Sequence, residues 1–388
     1  MAKIAMVAGE ASGDLLGYHL IRELKTVHPD VEIFGIAGPK MMSLGAKSLY
    51  PIERLSVRGY LEVLKHLRGL LQLRKQLLKQ ILQEKPDVFI GIDAPDFNFW
   101  LEKKLKAKGI ATIHYVSPSI WAWRKNRIHS IKRAVSHMLA LFPFEPALYQ
   151  QAGVPVSYIG HPLADALPME PDVAQMREKL KLKKNSVVIA ILPGSRQSEV
   201  TFHAELMLES AISFERLMRE NGKSVQFLVP LVTRETRDIF QNAWHQLQTD
   251  KPELAIDLQI MFGHAHEAMI AADAVLVASG TASLEAALLK KPMIITYKMS
   301  NMSWQLLKRM RLQPYVGLPN ILAGEFIVPE LLQHEATPAN IAQTMYNLLA
   351  DKTGLAQLHE KYRAIHARLK QNSAQKAAAV VKQFLQAS

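Results

Sequence analysis

The sequence predicts an α/β protein of two doubly wound domains facing each other across a cleft. Three observations carry this. Short β-rich runs alternate with helical patterns along most of the chain, the pattern of parallel sheets wound with helices. Several runs are apolar almost throughout, as strands are when helices cover both faces of the sheet. A glycine-hinged strand end occurs twice, at Met6-Val7-Ala8-Gly9-Glu10-Ala11-Ser12-Gly13-Asp14 and at Ile189-Ala190-Ile191-Leu192-Pro193-Gly194-Ser195-Arg196. Each looks like the first βα turn of an open sheet, and such sheets bind ligands outside the carboxyl ends of their strands.

In chain order, the first domain is expected to place strands at 3–8, 31–36, 87–92, 110–116, 137–142 and 155–159. A second series follows at 187–192, 225–230, 258–262, 274–278 and 292–297. The break falls between about 163 and 185, a stretch holding Pro162, Pro168 and Pro171 and the basic run Lys179 to Lys184. This gives a first domain over 1–165 and a second over 166–355. The polar, alanine-rich tail at 356–388 is expected to be a helix folded back on the first domain or on a second subunit.

Composition narrows the partners. The 388 residues are 49% hydrophobic, enough for two cores, and carry a net charge of +12 with a pI near 9.6. Such a surface favours anions: nucleic acid, acidic head groups or phosphorylated substrates. The absence of cysteine excludes disulfides and thiolate metal sites. The first residues enter a strand at once, so no signal peptide is expected. No apolar run reaches the ~18 residues of a spanning helix.

The chemistry-bearing residues cluster after strands. Glu10, Ser12, Gly13 and Asp14 follow the first strand. Glycine permits a turn and a close ligand, Ser12 can cap the next helix, and two carboxylates exceed what a turn requires. Asp93 sits at the tip of strand 87–92, where Pro95 delays the helix and holds it in a loop. A carboxylate there suits proton abstraction from a substrate hydroxyl, or else a simple cap; Asp96 reads as a cap. Trp121 and Trp123 beside Arg124 can hold a sugar or lipid and meet a phosphate, or can pack ordinarily. In the second domain, Gly194, Ser195 and Arg196 open a helix whose N-terminus attracts phosphate, and Arg196 adds bidentate donors. Ser279, Gly280 and Thr281 leave room for a second phosphate or a ribose, with Glu285 one turn on as a ribose acceptor. No dinucleotide fingerprint, P-loop or metal-ligand spacing occurs; His264 and His266 lack partners at metal spacing. Residues 60–82 form an amphipathic stretch, with Leu64, Leu67, Leu71 and Leu78 against Arg68 and Lys75. It fits a helix docked on the sheet or one lying on an anionic membrane. Residues 302–312 repeat the pattern more weakly.

Taken together these stretches resemble the bacterial lipid-A-disaccharide synthase family. The likeness rests on 7–14, Gly91 to Asn98, His114 to Arg124, Gly160-His161-Pro162, 192–196, Ser279-Gly280-Thr281 with Glu285, and Leu318 to Gly324, in the family's order. It implies two Rossmann-like domains in GT-B architecture and an inverting glycosyltransferase of family 19. The enzyme would join UDP-2,3-diacylglucosamine to 2,3-diacylglucosamine 1-phosphate. The products would be the β(1→6) lipid A disaccharide 1-phosphate and UDP. The resemblance further implies no cofactor and no metal, a peripheral site on the cytoplasmic face of the inner membrane, and leaves a homodimer open. On this basis Asp93 or Glu10 is the base. Arg196, the 194–196 backbone and the 279–281 loop hold the diphosphate, and Glu285 the ribose. Ser12, Gly13, Asp14, Trp121, Arg124 and Asn320 contact substrate.

Two alternatives stand beside it. A UDP-N-acetylglucosamine 2-epimerase also uses two such domains and a ribose-binding glutamate, without a lipid surface or acceptor site. A basic nucleic-acid-binding protein would need one cationic stripe interleaved with aromatics. Here Lys and Arg are dispersed and the aromatic cluster is confined to 115–123, so no nucleic-acid partner is expected.

Overall fold

A computed structural model of the chain describes residues 2–55, 60–250, 256–278 and 280–386; side chains at 60–67, 306 and 386 lie outside that description. The chain forms two compact units, Met1–Asp165 with Arg368–Ser388, and Ala166–Ala367.

The first unit holds seven strands: β1 (Lys3–Ala8), β2 (Glu32–Ile36), β3 (Lys47–Ser48), β4 (Val88–Ile92), β5 (Ala111–Tyr115), β6 (His137–Ala140) and β7 (Val156–Tyr158). They pair in the order β3-β2-β1-β4-β5-β6-β7, all parallel. The second holds six: β8 (Val187–Leu192), β9 (Val225–Leu231), β10 (Asp257–Phe262), β11 (Ala274–Ala278), β12 (Met293–Tyr297) and β13 (Glu330–Leu332). Their order is β10-β9-β8-β11-β12-β13, again parallel. Both are doubly wound Rossmann-like sheets. The order reverses between β1 and β4 in one and between β8 and β11 in the other, and these reversals are where such folds place ligands.

The central strands are buried on both faces, which is why β4 (Val-Phe-Ile-Gly-Ile) and β11 (Ala-Val-Leu-Val-Ala) read as unbroken apolar runs. The edge strands β3 and β13 span two and three residues. That is too short to leave a periodic signal, and neither is visible in the sequence.

The helix Ala11–Val27 places Leu20, Ile21 and Leu24 in the core of the first unit. Its N-cap is Glu10, so Ser12 lies inside the first turn and does not cap it, contrary to expectation. The helix Tyr60–Glu84 buries Leu73, Leu77 and Ile81, an i, i+4, i+8 face. Leu71 is exposed, and Arg68 and Lys75 are exposed with it. The buried face is therefore rotated from the stripe expected at 64, 67, 71 and 78. The side chains of Leu64 and Leu67 fall outside the described residues.

The tail forms two helices, Lys352–Leu369 and Ser373–Gln386, and the boundary between the units falls near the end of the first. The second packs on helix 11–27 and adds Ala377, Ala378, Val380 and Val381 to the first unit's core. Asp165 pins the turn between them. Its Oδ1 accepts from the N–H groups of Gln371 (3.0 Å) and Asn372 (2.9 Å), and its Oδ2 from that of Ser373 (2.6 Å). Tyr158 Oη donates to the carbonyl of Arg368 at 2.6 Å, and the N–H of His161 to that of Leu369 at 2.9 Å. Asp165→Ala leaves three N–H groups at this helix start without their acceptor, so it should cost about 2–3 kcal/mol. Urea unfolding followed by far-UV circular dichroism checks this; an unchanged midpoint would show that the turn holds without Asp165.

Candidate active site

In the first unit, the ends of β1 and β4 lie side by side, with Ala8 in register with Ile92. The chain leaves β4 through two consecutive left-handed residues, Asp93 (φ 52°) and Ala94 (φ 43°). This unusual turn is held at three points. The Asp93 N–H donates to the Tyr115 carbonyl at 2.9 Å, and the Asp93 carbonyl accepts from Asn98 Nδ2 at 2.8 Å. The Ala94 N–H donates to the Asp93 carboxylate. The carboxyl's affinity for protons is raised above the ordinary aspartate range, first by burial and in smaller part by the nearby Glu10 carboxylate. The bond from Ala94 and the field of His114 oppose that rise. Glu10 itself accepts from Ser12 Oγ at 2.8 Å. The sequence-predicted Glu10, Ser12 and Asp93 are thus brought to one strand-end region.

Beneath the turn, His114 of β5 and Glu102 of the helix Pro95–Lys106 form a fully buried pair, Nδ1 to Oε1 at 2.6 Å. The ring of Phe99 covers His114 at 4.3 Å. Burial raises the Glu102 pKa and His114 opposes the rise. Removing one partner of such a pair strands a buried polar group, while the intact pair contributes little net stability. No sequence signal joins residues 102 and 114; only the helix crossing the sheet does.

Several residues expected to contact substrate are engaged within the fold. Asp14 is buried, and its carboxylate caps the short helix Pro39–Ser43, accepting from the N–H groups of Lys40 (2.9 Å) and Met41 (3.0 Å). Gly13 is buried beneath its helix, where a Cβ would sit 3.4 Å from Ala8 Cβ; it serves packing. Trp121 lies edge-on to Phe144 (5.3 Å) and Phe142 (6.4 Å), and its indole N–H donates to Glu145. Burial pushes the Glu145 carboxyl up to about 7. The exposed ring is Trp123, with the Arg124 guanidinium 4.2 Å from its centroid. Asp96 is exposed and paired with Arg127, and Ala94 holds the N-cap position of its helix.

In the second unit, Gly194, Ser195, Arg196, Gly280, Thr281 and Glu285 line one cavity of about 500 Å³. Tyr297, Met299 and Trp304 give it an apolar wall. Ser279 lies outside the described residues. Gly194 has φ 125°, and a Cβ there would come within 2.5 Å of Glu199 Cβ, so no other residue fits. Glu199 Oε2 accepts from the N–H groups of Ser195 (3.0 Å) and Arg196 (3.2 Å), and Glu199 Oε1 lies 3.3 Å from Arg196 Nη1. These two backbone donors, expected for phosphate, are taken by Glu199. The Arg196 guanidinium remains 74% exposed. The helix Thr281–Leu288 starts at the cavity wall after Gly280 (φ 142°). The positive end of its dipole adds to the attraction for anions.

Asn320 is likewise engaged within the fold. It is fully buried, and its amide is saturated within its own loop. Nδ2 donates to Val328 O and Glu330 Oε1, and Oδ1 accepts from the N–H groups of Ile327 and Val328. Sequence reasoning missed His203 and weighed His266 only as a metal ligand. His203 is buried and neutral, its pKa lowered by burial. Nδ1 donates to the Glu199 carbonyl (2.7 Å) and Nε2 accepts from the Lys298 N–H (2.9 Å). His266 Nε2 lies 2.9 Å from Glu285 Oε2, and that bond raises the His266 pKa. Among the described residues, no group of three or more acidic, histidine or cysteine side chains is arranged to hold a metal.

Two doubly wound parallel sheets, each with a glycine-turned strand end at its reversal, put the chain in the GT-B fold class. A solved UDP-GlcNAc 2-epimerase from Neisseria meningitidis, bound to UDP-GlcNAc, matches with TM-score 0.61 at 16% identity, covering all of both chains. A glycosyltransferase from Rickettsia africae matches at 0.60 and 12% identity, covering 100% of this chain and 99% of its own. These likenesses concern the fold. The family model for lipid-A-disaccharide synthetase matches residues 4–384. A lipid-A-disaccharide synthase from Methylobacillus flagellatus is 60% identical over 386 residues, 99% of this chain and 100% of its own. The chain belongs to the lipid-A-disaccharide synthase family.

Proposed function

We propose that this enzyme joins UDP-2,3-diacylglucosamine to 2,3-diacylglucosamine 1-phosphate, with Asp93 as general base and the 500 Å³ cavity as the UDP site. Family membership over nearly the whole chain supports the reaction and rules against the epimerase and nucleic-acid alternatives. The observation that carries the assignment of roles is the pairing of polar residues with the two strand-order reversals. The acceptor's 6-hydroxyl attacks the donor's anomeric carbon and gives its proton to Asp93. The bond from that carbon to the UDP oxygen breaks, and configuration inverts. Arg196 and the start of helix 281–288 meet the charge that develops on the departing diphosphate. Glu285 accepts the ribose hydroxyls. The partly solvated Glu10, bonded to Ser12, orients the acceptor, and its charge keeps Asp93 basic.

Two acylated substrates suit a peripheral enzyme at a membrane surface, in this reading the cytoplasmic face of the inner membrane. No helix among the described residues is long and apolar enough to cross a bilayer. Leu71, Arg68 and Lys75 form an exposed strip on helix 60–84 that suits an anionic surface.

Four measurements test this reading. Asp93→Asn should lower transfer by about 10²–10⁴-fold with UDP affinity retained. In the parent, the acid limb of kcat/KM should lie above the ordinary aspartate range, because the base acts only when ionised and burial raises its pKa. Turnover within a few-fold of the parent would remove Asp93 from the role. Arg196→Ala should weaken UDP binding and slow transfer, and Arg196→Lys should restore only part, since the planar fork is lost. Calorimetric titration of UDP decides; parental affinity in both variants would sink the assignment. The triple change Arg68→Glu, Leu71→Ser, Lys75→Glu leaves Leu73, Leu77 and Ile81 in place. It should yield a folded protein that floats less with phosphatidylglycerol vesicles, and unchanged flotation would refute the membrane strip.

A further inference from the structure

We infer that His266 is a positioning residue for nucleotide recognition: its imidazole fixes the Glu285 carboxylate so that this group distinguishes ribose from 2′-deoxyribose in bound uridine diphosphate. The inference rests on the donor-site reading above and adds a residue that none of the sequence motifs contains.

The two residues stand on separate helices. His266 is on Ala265–Ala271, which follows β10, and Glu285 is on Thr281–Leu288, which follows β11. They meet at 2.9 Å between Nε2 and Oε2, at the wall of the cavity that Glu285 lines. A glutamate one turn into a helix normally samples several rotamers, and holding it for a ligand costs conformational entropy. Anchoring one oxygen removes that freedom in advance. An ionised carboxylate accepts only, at about four lone-pair positions, so the anchored group still has room for two neighbouring hydroxyls. A ribose offers two such donors; a 2′-deoxyribose offers one and leaves an acceptor unmet. Sites built to bond a hydroxyl discriminate against analogues that lack it.

The surrounding charges do not compete for His266. The adjacent acid on its own helix, Glu267, is engaged by His264 at 3.0 Å and faced by Lys179 at 4.0 Å from the helix Val173–Lys179. Arg177 of that helix pairs with Asp273 at 2.8 Å. Glu285 is left as the acid that takes the imidazole. The pair is partly exposed, with side chains 41% and 20% accessible. A pair of that exposure adds little to the stability of the fold by itself. Its position on the cavity wall gives it a task that a surface pair lacks.

The test compares UDP with 2′-deoxy-UDP, titrated into the full-length parent and into His266→Ala, His266→Gln, His266→Asn and Glu285→Ala, with thermal melting as the control for folding. The parent should prefer UDP by about tenfold or more. His266→Ala should lose about five- to tenfold in UDP affinity, with the 2′-deoxy affinity changed less than about twofold. His266→Gln should recover most of the preference, because its amide nitrogen reaches the place of Nε2; His266→Asn is too short and should behave like the alanine variant. If His266→Ala does not fold, the contrast between the glutamine and asparagine variants decides. A parental UDP to 2′-deoxy-UDP ratio without the His266 donor, alongside a collapsed ratio in Glu285→Ala, overturns the role of His266 and leaves the ribose site standing. A parental ratio in Glu285→Ala overturns the ribose site and the inference with it.

Discussion

Each sheet reverses its strand order once, between β1 and β4 and between β8 and β11, and the chain departs from those neighbouring strand ends to opposite faces. Parallel hydrogen bonding fixes the level of the two ends, as the register of Ala8 with Ile92 shows. The departing helices cannot cover the gap they leave. A polar residue placed just past either strand is therefore held by a rigid sheet below and left open above. Glu10 and Asp93 occupy one such place, and Arg196 and Thr281 the other. The roles proposed for them follow from this geometry before any side-chain detail is considered.

The polar residues near these places divide into two kinds. Asp14 and Glu199 spend carboxylate oxygens on backbone N–H groups, Asn320 spends its amide on backbone groups and on Glu330, and Glu102 and His114 meet each other through one oxygen and one nitrogen. Buried polar atoms require such partners, and loops that do not form ladders obtain them from side chains. Asp93, Arg196 and Glu285 keep a charged group available beside the open strand ends or the cavity. The first kind holds the second in place: Glu199 sets the start of the helix that carries Arg196, His203 ties Glu199 to the end of β12, and Asn98 steadies the left-handed turn at Asp93.

Electrostatics differs between the units in a way that suits transfer between sugars. Burial and a neighbouring carboxylate make Asp93 a stronger base than a free aspartate, which matches removal of a proton from an alcohol as the bond forms. In the second unit an exposed guanidinium and a helix start offer positive potential to an anion, as the proposed diphosphate site requires. The same +12 balance also favours anionic substrates and anionic surfaces at long range.

The sequence by itself determined the doubly wound class, the two series of central strands and the family, because fully buried parallel strands must be apolar throughout and the turns after them must admit glycine. It also located Asp93, Arg196 and Glu285, whose places follow from counting past a strand end. It did not reveal β3 and β13, which are too short to carry a period, or the true buried face of helix 60–84, which depends on what the sheet presents to it. Nor could it show that Asp14 caps a distant helix and Asn320 staples a loop, since a polar side chain with such a task looks the same in one dimension as one that meets a substrate. His266 and Glu285 are nineteen residues apart on different helices, and His114 and Glu102 lie on a strand and the helix crossing it. Tertiary structure alone decided these pairings, because a hydrogen bond of 3 Å depends on where two elements pack and local sequence encodes only the elements.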